Sequence, residues 1–346
     1  MNEILRLRLR ITPRDVFFYS LNIITIMPLL RSVKDTMFRT YCRTRNKRPI
    51  WYHVLNRESK NLWRAHKPVI PDMRASEIIS SLKRDGIAVT SLQDFFPNIR
   101  FEDLARFASE AIARPDIQEE MRRHKLMIAE RVETGGKRAG AKKYLKDFIV
   151  EPYGSTTKEI IPDMDNPYIR MNLDERVLAI AGSYMGLAPK FRGFSLRVTL
   201  PVPPGAPEYF SQRWHRDPED RNMLKMFLYM TDVLDEASGP FTYIKGSQPG
   251  GPMEHVFRQR PPAATYPELG AVEKAIPKEF MHMALGKTGT IIFADTSGLH
   301  KGGYTTSRER IMYTGTFYSN ASPAKHRLIP QQDISGLPPL VRYALD

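Results

Sequence analysis

Residues 224–248 read LKMFLYMTDVLDEASGPFTYIKGSQ, which is the pattern of two short β-strands and the connection between them. Residues 224–231 and 241–244 are rich in the aliphatic and aromatic side chains that strands favour. Turn signals follow each of them, SGP at residues 238–240 and GS at residues 246–247. The stretch therefore predicts two consecutive strands of a β-rich unit.

The same alternation of strand and turn extends outward from this stretch. Further strands are predicted over residues 195–200, 290–294 and 311–318. Earlier in the chain, apolar residues at helical spacing predict helices over residues 73–84, 101–113 and 174–184, with one strand over 87–89. Many short strands preceded by helices predict a mainly β fold, a jelly-roll barrel with a helical layer.

A His-x-Asp motif, Trp214-His215-Arg216-Asp217, precedes the central stretch. At a strand end, residues i and i+2 point to one side, so His215 and Asp217 could bind one cation. One such motif is weak evidence, because it arises by chance in a chain with eight histidines. His300 follows the predicted strand 290–294 and completes a set of two imidazoles and one carboxylate. That set, with coordination positions left open, suits non-haem Fe(II) oxygenases.

Two arginines follow His300 at the start of the strand predicted over residues 311–318. Arg310 could bind a dicarboxylate through two hydrogen bonds, and Arg308, two residues earlier on the same side, is the alternative. Arg310 could equally be a surface ion-pair partner of Glu309 or Asp295. For each histidine, the alternative to a metal ligand is a satisfied, partly buried side chain.

The central stretch resembles the phytanoyl-CoA dioxygenase-like family of Fe(II)/2-oxoglutarate oxygenases. The family pattern is HxD, strand, acidic turn, GP-aromatic, strand, GSH, then a distal His followed by Arg, and the resemblance covers roughly residues 75–320. The segment 83–89, KRDGIAV, is similar to the family's opening helix and strand. Gln248 stands where the family usually has His, at a position that is not a ligand there.

The resemblance implies a double-stranded β-helix with the metal inside one open end. It implies that His215, Asp217 and His300 bind Fe(II), and that Arg310 binds the cosubstrate 2-oxoglutarate. Reaction with O₂ would then give succinate, CO₂ and a hydroxylated substrate, and the carboxylate of Asp217 favours hydroxylation over halogenation. Arg197, on an adjacent predicted strand, would point at cosubstrate or substrate; the alternative is a surface position.

Charge is unevenly distributed along the chain. The net charge of the 346 residues is +14, and the first fifty residues hold eleven basic and three acidic side chains, a net +8. A run of mostly apolar residues, 16–30, is shorter than the roughly 20 residues that a membrane span needs. A basic-flanked apolar helix can lie in the membrane interface, or it can pack on the domain. Both readings stay open, and a true span is a third.

Composition and motif spacing also limit the other features expected of this chain, namely disulfides, a phosphate-binding loop and nucleic-acid binding. A single cysteine, Cys42, rules out an internal disulfide framework. The Gly-rich basic segment 134–143 lacks the spacing of a phosphate-binding loop, so it is either a flexible loop or an anion-contacting lid. The chain is basic but shows no nucleic-acid motif, so no specific nucleic acid is expected as a partner.

The chain is expected to divide into four parts. These are an N-terminal extension (1–50), a helical layer with the first strands (51–190), a jelly-roll catalytic core (191–325) and a tail (326–346). The predicted function is a hydroxylase acting on an unactivated C–H of a small-molecule or lipid-linked, anionic substrate. A non-catalytic or cupin-like membrane-surface binding protein is the alternative. A cytoplasmic location, peripheral at the inner membrane face, is expected.

Overall fold

The fold is seen in a computed structural model. It describes residues 34–69, 72–133, 148–150, 159–160, 164–206, 208, 210–324, 327–328, 330 and 332–346. Contacts divide the chain into two units, Met1–Arg45 and Asn46–Asp346. In the first unit the described residues, 34–45, form helix α1. The second unit holds all the other described elements.

Two antiparallel sheets form the centre of the second unit. The larger has six strands in the order β1-β8-β5-β10-β4-β2, and the smaller has three in the order β7-β6-β9. The strands of the larger sheet are β1 (Ile87–Ser91), β2 (Phe148–Val150), β4 (Lys190–Thr199), β5 (Leu224–Tyr229), β8 (Thr290–Ala294) and β10 (Arg310–Tyr318). Those of the smaller are β6 (Phe241–Ile244), β7 (Met281–Ala284) and β9 (His300–Lys301). A short parallel pair, β3 (Glu159–Ile160) with β11 (Arg327–Leu328), forms a separate two-stranded sheet.

The path of the chain between the two sheets defines a jelly roll. From β4 to β10 the chain passes repeatedly between them, and the segment at His215 joins the smaller sheet by a bridge to His300. In the larger sheet, β8, β5, β10 and β4 are neighbours although they are far apart in sequence. The order of these strands confirms the predicted double-stranded β-helix, the cupin-like jelly roll.

Helices cover the outer face of the larger sheet, as predicted. They are α2 (Arg57–His66), α3 (Met73–Asp85), α4 (Leu92–Phe95), α5 (Phe101–Ile112), α6 (Pro115–Glu133), α7 (Pro167–Asn172), α8 (Glu175–Met185) and α10 (Pro339–Leu345), with α9 (Ala271–Ala275) between β6 and β7. In β5, Leu224, Met226 and Leu228 pack with these helices. Phe227 and Tyr229 belong to a separate cluster inside the barrel. Alternation along β5 thus directs every second residue toward the barrel interior.

Local sequence explains where the helices begin and end. Asp72 accepts a hydrogen bond from the backbone of Ala75 at the start of α3, and Gly86 ends that helix with φ +79°. A side chain at Gly86 would also collide with Tyr243. Gly186 ends α8 in the same left-handed conformation, with φ +74°. These boundaries fall within two residues of the predicted ones.

Other elements were not anticipated. Residues 115–133 form a 19-residue helix, and strand β4 begins at Lys190, five residues before the predicted start. Residues 326–346, predicted as a tail, include α10, which buries Leu340, Ala344 and Leu345. The Lys190 ammonium lies over the Tyr343 ring, 3.6 Å from its centroid, and attaches α10 to β4.

Two of the sequence predictions concern segments outside the described residues. They are most of the N-terminal extension, residues 1–33, and the Gly-rich segment 134–143. Among the residues that the structure does describe, none of the helices combines the length and apolarity required to cross a membrane.

Candidate metal centre

The smaller sheet brings the two histidines together. The backbone N–H of His215 donates to the carbonyl of His300 at 2.8 Å, and that of His300 donates back at 3.0 Å. Directly opposed residues place their side chains on the same face of a sheet, and here the imidazole centroids are 4.2 Å apart. A single backbone pairing therefore joins two residues that are 85 positions apart in the sequence.

Asp217 completes the cluster from the same face. Its backbone N–H donates to Thr296 at 2.9 Å, which orients the chain beyond the bridge. Its Oδ1 lies 3.4 Å from Nε2 of His215, and its Oδ2 lies 3.7 Å from Nε2 of His300. Among the described residues this is the one buried group of three such side chains whose ligand atoms all lie within 4.8 Å of one another.

Each imidazole is held in the tautomer that a metal needs. Nδ1 of His215 donates to the carbonyl of Arg213 at 2.8 Å, and Nδ1 of His300 donates to that of Gly298 at 3.0 Å. With Nδ1 protonated, the Nε2 lone pair of both rings faces Asp217. Burial, and then the neighbouring His215, lower the pKa of His300 to about 3. His300 is therefore neutral across the physiological range.

The donor set fits a divalent first-row metal. Two ligands at right angles, each about 2.1 Å from a metal, are about 3 Å apart. The separation of Asp217 Oδ1 from His215 Nε2, 3.4 Å, needs only a small contraction to reach that value, and one ligand atom from each of the three residues can be chosen with all three within 4.8 Å of one another. Two neutral imidazoles and one carboxylate leave three positions of an octahedral metal open.

Arg216 lies between His215 and Asp217 in the sequence, and its side chain points away from the metal cluster. Its buried guanidinium donates to backbone carbonyls of the loops around the site; these are Ser247 at 2.6 Å, Val256 at 2.8 Å, Phe257 at 2.8 Å and Ser297 at 3.0 Å. This alternation agrees with the expected strand-like geometry of residues i and i+2. Arg216 thus connects the backbone of the ligand-bearing strand to the loop that leads to His300.

Lys225 is a member of the site that the sequence analysis missed. It lies on the inward face of β5, and its Nζ is 2.6 Å from Oδ2 of Asp217. Burial acts to raise the pKa of Asp217, but the Lys225 ammonium outweighs it and holds that pKa well below the usual range. The available signal was a single lysine within the apolar strand Leu224–Tyr229, because a buried ammonium requires an anionic partner.

Glu219 adds a second carboxyl beside Lys225. Burial, followed by the charge of Asp217, raises the pKa of Glu219. Its Oε2 is buried and has no hydrogen-bond partner within the part of the chain that the structure describes. Tyr266 covers the other side of the site, with its ring stacked on that of His215 at 5.4 Å between centroids.

The three arginines singled out from the sequence lie in different surroundings. Arg310 is buried at the start of β10 and donates to Thr199 Oγ1 at 2.9 Å and to the carbonyl of Gly302. Arg197, half-buried on the adjacent β4, donates to Ser211 Oγ at 3.0 Å. Arg308 is exposed and donates to the carbonyl of Asp232 at 3.1 Å, so it does not face the barrel interior.

Gln248 and Trp214 have structural roles. Gln248, which stands where the family usually has His, is buried and donates to the carbonyls of Lys83 and Arg84 at the end of α3. Trp214 packs on the outside of the smaller sheet and donates to Glu273 at 2.7 Å. His124 is partly buried and His255 is exposed, and both bond to backbone carbonyls of their own segments. His326 lies outside the described residues.

Comparison with known proteins gives structural matches only. No family model matches the chain, and no curated protein matches it. One similar solved structure is the non-heme alpha ketoglutarate dependent carbocyclase SnoK from nogalamycin biosynthesis, with 15% identity over 70% of this chain and 82% of that one, and a TM-score of 0.43. EctD from S. alaskensis, solved with 2-oxoglutarate and 5-hydroxyectoine, has 14% identity over 80% and 84%, and a TM-score of 0.42. HygX from Streptomyces hygroscopicus, solved with nickel and 2-oxoglutarate, has 13% identity over 70% and 85%, and a TM-score of 0.39.

Proposed function

We propose that this protein is an Fe(II)- and 2-oxoglutarate-dependent oxygenase that hydroxylates an unactivated C–H bond of a small molecule. The observation that carries the proposal is the buried cluster of His215, Asp217 and His300, with both Nε2 lone pairs directed at one carboxylate. Bound iron would supply the oxidising chemistry, using O₂ and 2-oxoglutarate. The three side chains would occupy one face of the metal and leave the opposite face for cosubstrate and O₂.

Arg310 is proposed to bind the distal carboxylate of 2-oxoglutarate. Its guanidinium is buried in the barrel wall, where a planar fork of donors suits a carboxylate. The bond from Arg310 to the carbonyl of Gly302 places it beside the chain that leaves His300. Arg197 lies on the neighbouring strand and is proposed to face cosubstrate or substrate.

Metal-dependent release of succinate tests the proposal. Purified protein is incubated with Fe(II), ascorbate and 2-oxoglutarate in air, and succinate is measured with metal content before and after dialysis. We expect succinate and about one bound iron per chain for the wild type, and neither for His215→Ala. His255→Ala is the matched control, because His255 is exposed and outside the cluster. Wild-type protein that binds iron no better than His215→Ala would refute the proposal.

The exposed face of α1 supports a second candidate activity, contact with an anionic membrane surface. Met37, Phe38 and Tyr41 are 68%, 54% and 57% exposed on this helix. A helix of about twelve residues is marginal by itself in water, so a surface that covers these side chains would stabilise it. The net +8 of the first fifty residues would favour anionic lipid, and this proposal includes a cytoplasmic location at the inner membrane face and an anionic or lipid-linked substrate.

Vesicle co-sedimentation tests the membrane contact. The full chain is mixed with vesicles of phosphatidylcholine alone or with about one-third phosphatidylglycerol. We expect binding only to the anionic vesicles, and its loss when Met37, Phe38 and Tyr41 are all replaced by Ser. Unchanged sedimentation of that triple variant would exclude α1 as the contact. Vesicle binding without any succinate release would favour the non-catalytic alternative over the oxygenase.

A further inference from the structure

Tyr266 lies on the same face as the metal cluster. Arg216 and Thr265 form a bridge of two backbone hydrogen bonds, of 3.0 and 3.2 Å, so the next residues, His215 and Tyr266, oppose each other. Opposed side chains share one face, and the Tyr266 ring stacks on that of His215 with 13° between their planes. Burial, and then the charge of Asp217, raise the pKa of Tyr266. Because Tyr266 is 39% exposed, a molecule that approaches the cluster from solvent can contact it.

Arg213 places a positive charge beside this ring. Its guanidinium carbon lies 5.7 Å from the centroid of the Tyr266 ring, and its Nη2 donates to the carbonyl of Pro267 at 2.9 Å. Within the described part of the chain, its Nε has no hydrogen-bond partner and no carboxylate oxygen lies within 4.0 Å of the guanidinium. A partly buried guanidinium with unused donors is stabilised by an anion, and here that anion has to come from a ligand.

A strained turn fixes the backbone from which Arg213 extends. Phe210 has φ +47°, in the left-handed region that residues other than glycine rarely adopt, and its carbonyl accepts the backbone N–H of Arg213 at 3.0 Å. Ser211 accepts hydrogen bonds from the Arg197 side chain at 3.0 Å and from the backbone N–H of Gly302 at 2.7 Å. Such strain persists where the surrounding contacts impose it, and it is concentrated at functional sites.

The charges of the site favour a monoanion at Arg213. Lys225 already lies 2.6 Å from Oδ2 of Asp217, an oxygen that is also 3.7 Å from Nε2 of His300, and its ammonium interacts with Glu219 as well. A single guanidinium matches the single charge of a carboxylate through two parallel hydrogen bonds. The second charge of a phosphate would be repelled by the nearby Asp217 and Glu219.

We propose that Arg213 and Tyr266 form the substrate-binding wall of the site, and that the substrate is an aromatic carboxylic acid. The carboxylate binds the Arg213 guanidinium, and the aromatic body lies against Tyr266, beside His215. This inference rests on the proposed function and names a substrate class for it. An arginine and a tyrosine that served only to stabilise their loops would give no preference for an acid.

Relaxation of probe molecules by bound Mn(II) tests the inference without turnover. The protein is loaded with Mn(II), a redox-stable substitute for Fe(II), and saturated with 2-oxoglutarate. The NMR relaxation of each probe is then measured as its concentration is raised, because Mn(II) accelerates the relaxation of protons that bind close to it. The probes are 2-naphthoate, its neutral amide 2-naphthamide, its saturated analogue decahydro-2-naphthoate, and 2-naphthyl phosphate. We expect 2-naphthoate to bind at least tenfold more tightly than the amide and at least threefold more tightly than the other two.

Variants separate the charge of Arg213 from the ring of Tyr266. Arg213→Gln should weaken 2-naphthoate at least tenfold and leave 2-naphthamide within twofold, whereas Arg213→Lys, which keeps the charge without the fork, should lose less. Tyr266→Leu should weaken acid and amide by the same factor, at least threefold. Arg122→Gln, at an exposed arginine paired with Glu119, is the matched control. Thermal unfolding shows that each variant is folded, and the preference of the wild type for acid over amide carries the test if the Arg213 variants are not.

The outcomes distinguish this inference from the function on which it rests. Failure of the wild type to bind Mn(II) overturns both. If Mn(II) binds, then relaxation of none of the probes, equal affinity for acid and amide, or an acid preference that persists in Arg213→Gln overturns the substrate assignment alone. Tighter binding of 2-naphthyl phosphate overturns the choice of a carboxylate, and equal binding of decahydro-2-naphthoate overturns the aromatic body. A tenfold loss of 2-oxoglutarate affinity in Arg213→Gln overturns the assignment of Arg213 to the substrate.

Discussion

His300→Gln should remove a specific part of the pH dependence of stability. In the metal-free protein, burial lowers the pKa of His300 to about 3, whereas an unfolded histidine has a pKa of about 6.5. Between these values the unfolded chain binds one more proton than the folded chain. The stability that depends on neutral His300 is therefore complete above about pH 6.5 and falls as the pH decreases, by about 1.4 kcal/mol per pH unit.

From pH 6.5 to pH 5.0 this loss amounts to about 2 kcal/mol, which is a large part of a typical stability of 5–15 kcal/mol. Another buried group acts in the opposite direction. Burial raises the pKa of Asp295 to about 6, so its contribution grows as the pH falls from about 6 toward its unfolded value of about 3.9. The pH dependence of the wild type alone is therefore not diagnostic, and the comparison with His300→Gln isolates the histidine.

Urea unfolding in EDTA at pH 7.5 and at pH 5.0 measures this difference. Between pH 7.5 and pH 5.0, the free energy of unfolding of the wild type should decrease by about 2 kcal/mol more than that of His300→Gln. The baseline difference between the two proteins at pH 7.5 does not enter, because only the change with pH is compared. Parallel pH dependences would show that His300 is not a buried neutral imidazole and would refute the geometry of the site.

Three further predictions concern other residues of the site and its supports. Arg310→Gln should raise the KM for 2-oxoglutarate at least tenfold in the succinate assay, whereas Arg308→Gln should leave it within twofold, because Arg308 is exposed. Arg216→Met should lower the free energy of unfolding by roughly 3–5 kcal/mol in urea, since its guanidinium donates to several buried carbonyls; a loss below about 1 kcal/mol would contradict this. Tyr184→Phe removes a 2.6 Å hydrogen bond to the buried Asp295, so it should lower the free energy of unfolding by about 1–3 kcal/mol at pH 8 and by less at pH 5, where Asp295 is protonated; an equal loss at both values would argue against an ionised Asp295.

The ends of local elements were readable from the sequence because their causes are local. Gly86 and Gly186 occupy left-handed positions that end helices, and the predicted strand 241–244 is bounded by its turn signals on both sides. The spacing of His215 and Asp217 on one side of an extended chain was likewise a local property. Strands β7 and β9 were not readable, because one is a short edge strand and the other has two residues. Such strands exist only through their partners.

The sequence by itself determined the alternation of strands and turns, the helices before them and the types of side chain available for a metal site. Only the tertiary structure decided which of these side chains meet. It pairs His300 with His215, buries Arg310 while Arg308 stays exposed, and places Lys225 on Asp217. Periodicity and propensity act over a few neighbouring residues, whereas these contacts join segments up to 85 residues apart through the register of two sheets, which no local pattern specifies.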